Sequence, residues 1–190
     1  PACLSLLARA RRMAVASAIA FAVLSATGAA AADPDKVLRL ATADIDTLDP
    51  QQWQDTYSNT VGSAIFEAMF HWDYFARPPR PVPNTAVAAP VVSADGLTWT
   101  FHLRKARWSD GKAVTAQDFI FAWRRLLDPK TAARQSHMLW IIKNARNITA
   151  GRLPVAALGV TAPGPSTLTV TLERPAPYLP ELLTLPAALP

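Results

Sequence analysis

The stretch "LTWTFHLR" (residues 97–104) constrains this chain more than any other. Leu97, Trp99, Phe101 and Leu103 alternate strictly with Thr98, Thr100, His102 and Arg104. A period of two means a strand with one buried and one wet face, as in an antiparallel sheet. The preceding "PVVSADG" offers a short apolar partner and a turn at Ala94-Asp95-Gly96, so a β-hairpin is predicted. Two further short strands, "GVTA" and "TLTVTL", are expected about the turn Pro163-Gly164-Pro165-Ser166, with Leu168, Val170 and Leu172 on the inner face.

Between these strand pairs lies "WSDGKAVTAQDF" (residues 108–119), whose aspartates could serve chemistry or structure. Thr115-Ala116-Gln117-Asp118 has capping-box spacing, with Asp118 in place of the usual Glu or Gln. Phe119, Trp123 and Leu126 then recur at helical spacing, with Ile120 and Leu127 beside them. Thr115 is expected to satisfy an orphan amide, while Asp118 answers the Thr115 amide at the positive end of the helix dipole. Asp110-Gly111 supplies the turn before the helix and Asp128-Pro129 its stop. The stretch lacks the alternating oxygen ligands and closing glutamate of a calcium loop. These acids are read as scaffolding.

The remaining pattern is coarser. A short strand is expected near residues 37–41, followed by an Asp-rich loop closed by Asp49-Pro50. From Ser58 to Phe70, Val61, Ile65 and Met69 keep helical spacing, with Ser58 or Asn59 as cap. "HWDYFARPPRPVPNT" carries four prolines and is expected to cross the surface without regular structure. A helix through "HMLWIIKNARNI" is expected to end near Gly151.

Half of the 190 residues are apolar, enough for a substantial core. The formal charge of +5 is unevenly placed. Arg9, Arg11 and Arg12 precede an alanine-rich apolar run, and no acid precedes Asp33. Without residues 1–32 the balance is 16 basic (19 − 3) against 14 acidic side chains. That leaves no case for nucleic acid, and the Arg104-Lys105-Arg107 and Arg124-Arg125 clusters read as solvated faces. Residues 1–32 read as a cleavable export signal with an A-x-A site around 30–32. The competing reading is a membrane anchor, which the preponderance of alanine disfavours. The single cysteine, Cys3, lies ahead of the apolar run, so residues 33–190 hold no thiol. A periplasmic domain held by its core alone fits this pattern.

No motif of catalysis is legible. The glycines form neither G-x-G-x-x-G nor a P-loop, and there is no G-x-S-x-G or H-E-x-x-H. His71, His102 and His137 stand too far apart in sequence to suggest a zinc site. The six tryptophans read as core anchors and possible cleft walls. Nothing calls for a cofactor or a metal.

In order, "TLDP", "IFEAMF" and "SADGLTWTFHLRKARWSDGKAVTAQDFIFAWRRLLDPKTA" resemble the N-terminal lobe of the oligopeptide- and dipeptide-binding proteins, extracytoplasmic solute-binding protein family 5. "LGVTAPGPSTLTVTLERPAPYLPELL" resembles that family's next segment. The resemblance implies a mixed α/β (α+β) chain forming the N-terminal part of a two-lobed periplasmic-binding-protein clamp, class II type, type C cluster. Residues 33–75 would begin the main subdomain of the first lobe and residues 76–190 supply the smaller one, with the second lobe lying outside the 190 residues. It implies capture of short peptides for an ABC-importer permease, by a monomer that is not an enzyme. Related lobes bind nickel complexes, haem, glutathione or sugars, and an exported hydrolase is the competitor from another class. In the peptide binders, an extended ligand pairs with exposed backbone as an added strand. One such segment maps onto Gln54, Asp55 and Thr56, and a second contact, usually aromatic, maps onto Gln135. Here "TAARQSH" stands in place of the family's common Ser-Pro-Tyr pattern.

Overall fold

The structure, a computed structural model, describes residues 44–190. The expected export signal and the strand near residues 37–41 lie outside the described residues. The alternating stretch forms β4 (Thr98–His102), paired with β3 (Val91–Val92) across the predicted turn. β4 is also hydrogen-bonded to β6 (Thr167–Thr171), which pairs with β5 (Val160–Gly164), giving an antiparallel sheet in the order β3-β4-β6-β5. The register sets Trp99 opposite Val170 and Phe101 opposite Leu168, all buried. The threonines and His102 fall on the other face, as period two requires.

Helix α2 (Ala116–Leu127) packs on the inner face of this sheet. Phe119, Ile120, Trp123, Leu126 and Leu127 are buried, each contributing about 1.5–3 kcal/mol through removal from water. The Trp123 indole N–H donates to the Ala188 carbonyl at 2.9 Å, so burial leaves no orphan donor there. The capping box is present, but the carboxylate dominates it. Asp118 accepts from the Thr115 amide at 2.6 Å and from the Thr115 hydroxyl at 2.9 Å. Asp128 ends the helix and caps the following 3-10 turn, Pro129–Thr131, by accepting from the Lys130 amide.

Three expectations need correction. Helix α1 is Thr56–Ile65, capped by Asp55 rather than Ser58 or Asn59. Its inner face is small, Ser58 and Gly62, while Ile65 is 59% exposed and Met69 and Phe70 reach the core from beyond its end. The proline-rich crossing contains a hairpin, β1 (Phe70–Asp73) with β2 (Arg80–Pro83). Pro81 and Pro83 are two residues apart, so both fall where the strand turns its amide away from β1, and Arg80 and Val82 remain as donors. The helix through residues 137–151 is broken into a 3-10 turn, Ser136–Leu139, and a short α3, Ala145–Thr149. Between them Asn144 takes φ +69°, the Lys143 amide donates to the Thr171 carbonyl, and Ile142 bridges to Leu172. The end of β6 and the residue after it take backbone groups that a helix needs.

Candidate functional site

The candidate segment is built from the "LDP" loop. Asp49 accepts from the Gln51 amide at 3.1 Å and from both terminal nitrogens of Arg125, at 2.9 and 2.5 Å. Arg125 also donates to Gln51 Oε1 at 2.7 Å, and Gln51 Nε2 donates to the Ala122 carbonyl at 2.6 Å. Gln52 Nε2 donates to the Thr131 carbonyl at 2.7 Å. These bonds tie residues 49–52 to the helix α2 and the turn after it. Hydrogen bonding from Arg125 is the chief cause holding the Asp49 carboxyl below its ordinary range, aided by the Gln51 amide against partial burial; the Arg125 pKa is raised in return.

Trp53 is buried, edge-on to Phe66 at 5.9 Å between centroids. Its ring lies on Gly62 so closely that a Cβ there would stand 1.9 Å from the ring carbons. Gln135 Nε2 donates to the Trp53 carbonyl at 3.2 Å. The structure thus brings Gln135 against the residue that precedes Gln54. Gln54 and Thr56 are exposed. Asp55 has extended backbone (φ −108°, ψ 156°), and its Oδ1 accepts from the Ser58 amide at 2.7 Å. The Ser58 hydroxyl, followed by that amide, holds the Asp55 carboxyl below its ordinary value. Asp55 therefore has a structural task as the entry cap of α1. The backbone amides of Gln54 and Asp55 donate to no described residue.

Gln51 and Gln52 carry no role predicted from sequence, and Arg125 is expected on a solvated face. Arg125 is instead the anchor of the loop. The only trace of this in sequence is the amide-rich run after "LDP". Among the described residues no group of three His, Cys, Asp or Glu side chains converges on one point. His102 lies on the wet sheet face near Thr167, and His137 is exposed.

Comparison with known proteins gives the frame. The periplasmic oligopeptide-binding protein OppA of Salmonella typhimurium is 35% identical over 188 residues, covering 93% of this chain and 34% of that protein. A probable deoxycholate-binding periplasmic protein of Escherichia coli is 35% identical over 165 residues, 83% of this chain and 29% of that protein. The chain thus spans about a third of the length of the curated relatives it matches. The solved structure of Listeria monocytogenes OppA bound to peptide superposes with a TM-score of 0.74 at 34% identity, over 79% of this chain and 29% of that one. The mixed α/β fold expected from sequence is therefore shared with peptide-binding proteins of known structure. Residues 80–190 match the family described as bacterial extracellular solute-binding proteins, family 5 Middle. By that match the chain belongs to the family 5 extracellular solute-binding proteins.

Proposed function

We propose that this chain contributes one wall of a cleft that binds short peptides outside the cytoplasm and presents them to the permease of an ABC importer. The observation that carries the reading is the stretch from Trp53 to Asp55. Its backbone amides at Gln54 and Asp55 are uncommitted to described residues, and it is fastened from behind through Asp49, Gln51, Gln52 and Gln135. A segment held this way, with Asp55 already in extended backbone, can pair with a peptide main chain and ignore its side chains. Gln54, Asp55 and Thr56 would supply that edge, with Asp55 also setting its direction as helix cap. Gln135 would act through the Trp53 carbonyl, where the family's common pattern puts an aromatic.

Residues 33–75 would belong to the main subdomain of the first lobe and 76–190 to the smaller one, after export to the periplasm under a signal of about residues 1–32. The protein would work as a monomer without catalysis or cofactor. A second reading, capture of a different amphipathic solute by the same lobe, is favoured by the relative named as deoxycholate-binding.

Calorimetric titration of the intact protein, in the length at which the cell makes it, tests both. Saturable heat with a short-peptide mixture and no product supports peptide capture. Saturation by deoxycholate alone moves the assignment to the second reading. Peptide cleavage indicates a hydrolase, and a folded protein that binds neither ends the proposal.

A further inference from the structure

Away from the candidate segment, α3 and the chain after β6 enclose a groove of about 490 Å³ that the solute reading does not use. Its floor is Trp140, half-buried, whose indole N–H donates to the Thr149 hydroxyl at 3.2 Å. The Arg146 guanidinium carbon stands 5.1 Å from the Trp140 ring centroid, a cation–π contact that fixes the fork in place. His137 meets the same ring edge-on at 6.3 Å. Its Nδ1 lies 3.1 Å from the Arg134 carbonyl, to which it donates, and this bond anchors the ring at the rim of the groove. Arg174 lines the groove as well. Among the described residues neither Arg146 nor Arg174 has an ion-pair partner, in contrast to Arg104 and Arg125. Glu173, the one acid in the groove, uses Oε1 to accept the Asn144 amide at 2.6 Å, where the backbone turns left-handed. Its task is structural.

Two guanidinium groups with no ion pair among the described residues, one already held against an aromatic face, outnumber the single groove carboxylate of Glu173 and match an anion that can accept several charge-assisted hydrogen bonds at once. We infer that this groove binds a phosphate group, with Arg146 and Arg174 as the principal donors and His137 at the edge. The inference is independent of the peptide reading. The phosphate could belong to a soluble solute or to an anionic lipid headgroup, and the chemistry of recognition is shared.

The test is titration of the ¹⁵N-labelled full chain with inorganic phosphate at constant ionic strength, following the Trp140 indole N–H resonance assigned through Trp140→Phe. A saturable displacement at Trp140 is expected. Arg146→Gln and Arg174→Gln should each raise the midpoint about tenfold, the worth of one charge-assisted hydrogen bond. Arg80→Gln, at an exposed position on β2, should leave it unchanged. Arg146→Lys keeps the charge while losing the fork, and should fall between. A Trp140 resonance that does not move, or a midpoint that both glutamine variants leave at the value of the unsubstituted protein, overturns the site. Co-sedimentation with phosphatidylglycerol but not phosphatidylcholine vesicles, lost in the same two variants, assigns the phosphate to lipid. Its absence beside a positive titration assigns it to a soluble solute.

Discussion

Arg125 grips Asp49 with both terminal nitrogens, at 2.9 and 2.5 Å, joining residues 76 apart in sequence. The pair is two-pronged, yet Arg125 is 41% and Asp49 26% exposed at the side chain, so solvent screens it and its worth is about 1 kcal/mol or less. Its importance is positional. Arg125 fixes the loop that precedes the candidate binding segment, and helix α2, itself seated on the sheet, fixes Arg125.

A pH dependence follows. The folded pKa of Asp49 is lowered, so the folded state holds fewer protons there than the unfolded chain. This stability is fully present above the unfolded value of about 3.9 and is lost as pH falls through the lowered folded value. Asp49→Asn should therefore cost stability at pH 6 and little at pH 2. Urea melts at a series of pH values measure the difference between the two proteins. A gap that stays constant with pH shows that the Asp49 charge is not what the Arg125 contact uses.

At the start of α2 the roles are unequal. Asp118 accepts two bonds from Thr115, while the Thr115 hydroxyl contributes one of them. Thr115→Ala should cost about 1 kcal/mol, the usual worth of a cap. Asp118→Ala, which removes both bonds and the charge near the helix dipole, should cost more, about 1.5 kcal/mol. Chemical denaturation ranks the two, and the reverse order would mean that the hydroxyl, not the carboxylate, is the main cap.

Gly62 separates helix propensity from packing. On propensity alone Gly62→Ala would stabilise α1 by about 1 kcal/mol. The added Cβ, however, would meet the buried Trp53 ring at 1.9 Å. Overpacking of this kind costs about 1–3 kcal/mol, so net destabilisation is expected. Trp53→Phe should relieve part of it in the double variant, a coupling that a double-mutant cycle reads directly. Additive effects would show that the ring moves aside freely.

These contacts also explain what the sequence could and could not reveal. The hairpin at residues 91–102, the helix at 116–127 and the stop at Asp128-Pro129 were legible because local periodicity, turn chemistry and burial agree there. Asp55 as a cap was missed because Ser58 and Asn59 are equally good capping residues, and the decision lies with distant contacts: the Ser58 hydroxyl accepts from the Asp46 amide and Gly62 lies under the Trp53 ring. The break at Asn144 was invisible because "WIIKNARNI" has sound helical spacing, and what opposes it is a set of distant backbone bonds, from Lys143 to Thr171, from Gly159 to Lys143 and from Glu173 to Ile141. The prolines of β2 misled because their damage depends on register, which a single strand does not display. In the candidate site, Gln54, Asp55, Thr56 and Gln135 came from family resemblance. Gln51, Gln52 and Arg125 act through side-chain bonds to distant backbone or to Asp49, and such partners leave no local pattern.

The double duty of Asp55 gives the sharpest test of the proposed cleft. Its Oδ1 caps α1 through the Ser58 amide, so a disruptive change such as Asp55→Lys would disturb helix entry and the binding edge together. Asp55→Asn retains an oxygen acceptor at the cap, and asparagine caps about as well as aspartate, so stability at neutral pH should change by only a few tenths of a kcal/mol. If the ligand pairs with backbone, peptide affinity of the intact protein should also survive Asp55→Asn. Asp55→Ala should lose about 1 kcal/mol of stability, and affinity only as far as the edge is disordered. Calorimetry beside urea melts separates these outcomes. A large loss of affinity in Asp55→Asn with stability intact would show that the carboxylate charge itself meets the ligand, and main-chain pairing at this segment would have to be abandoned.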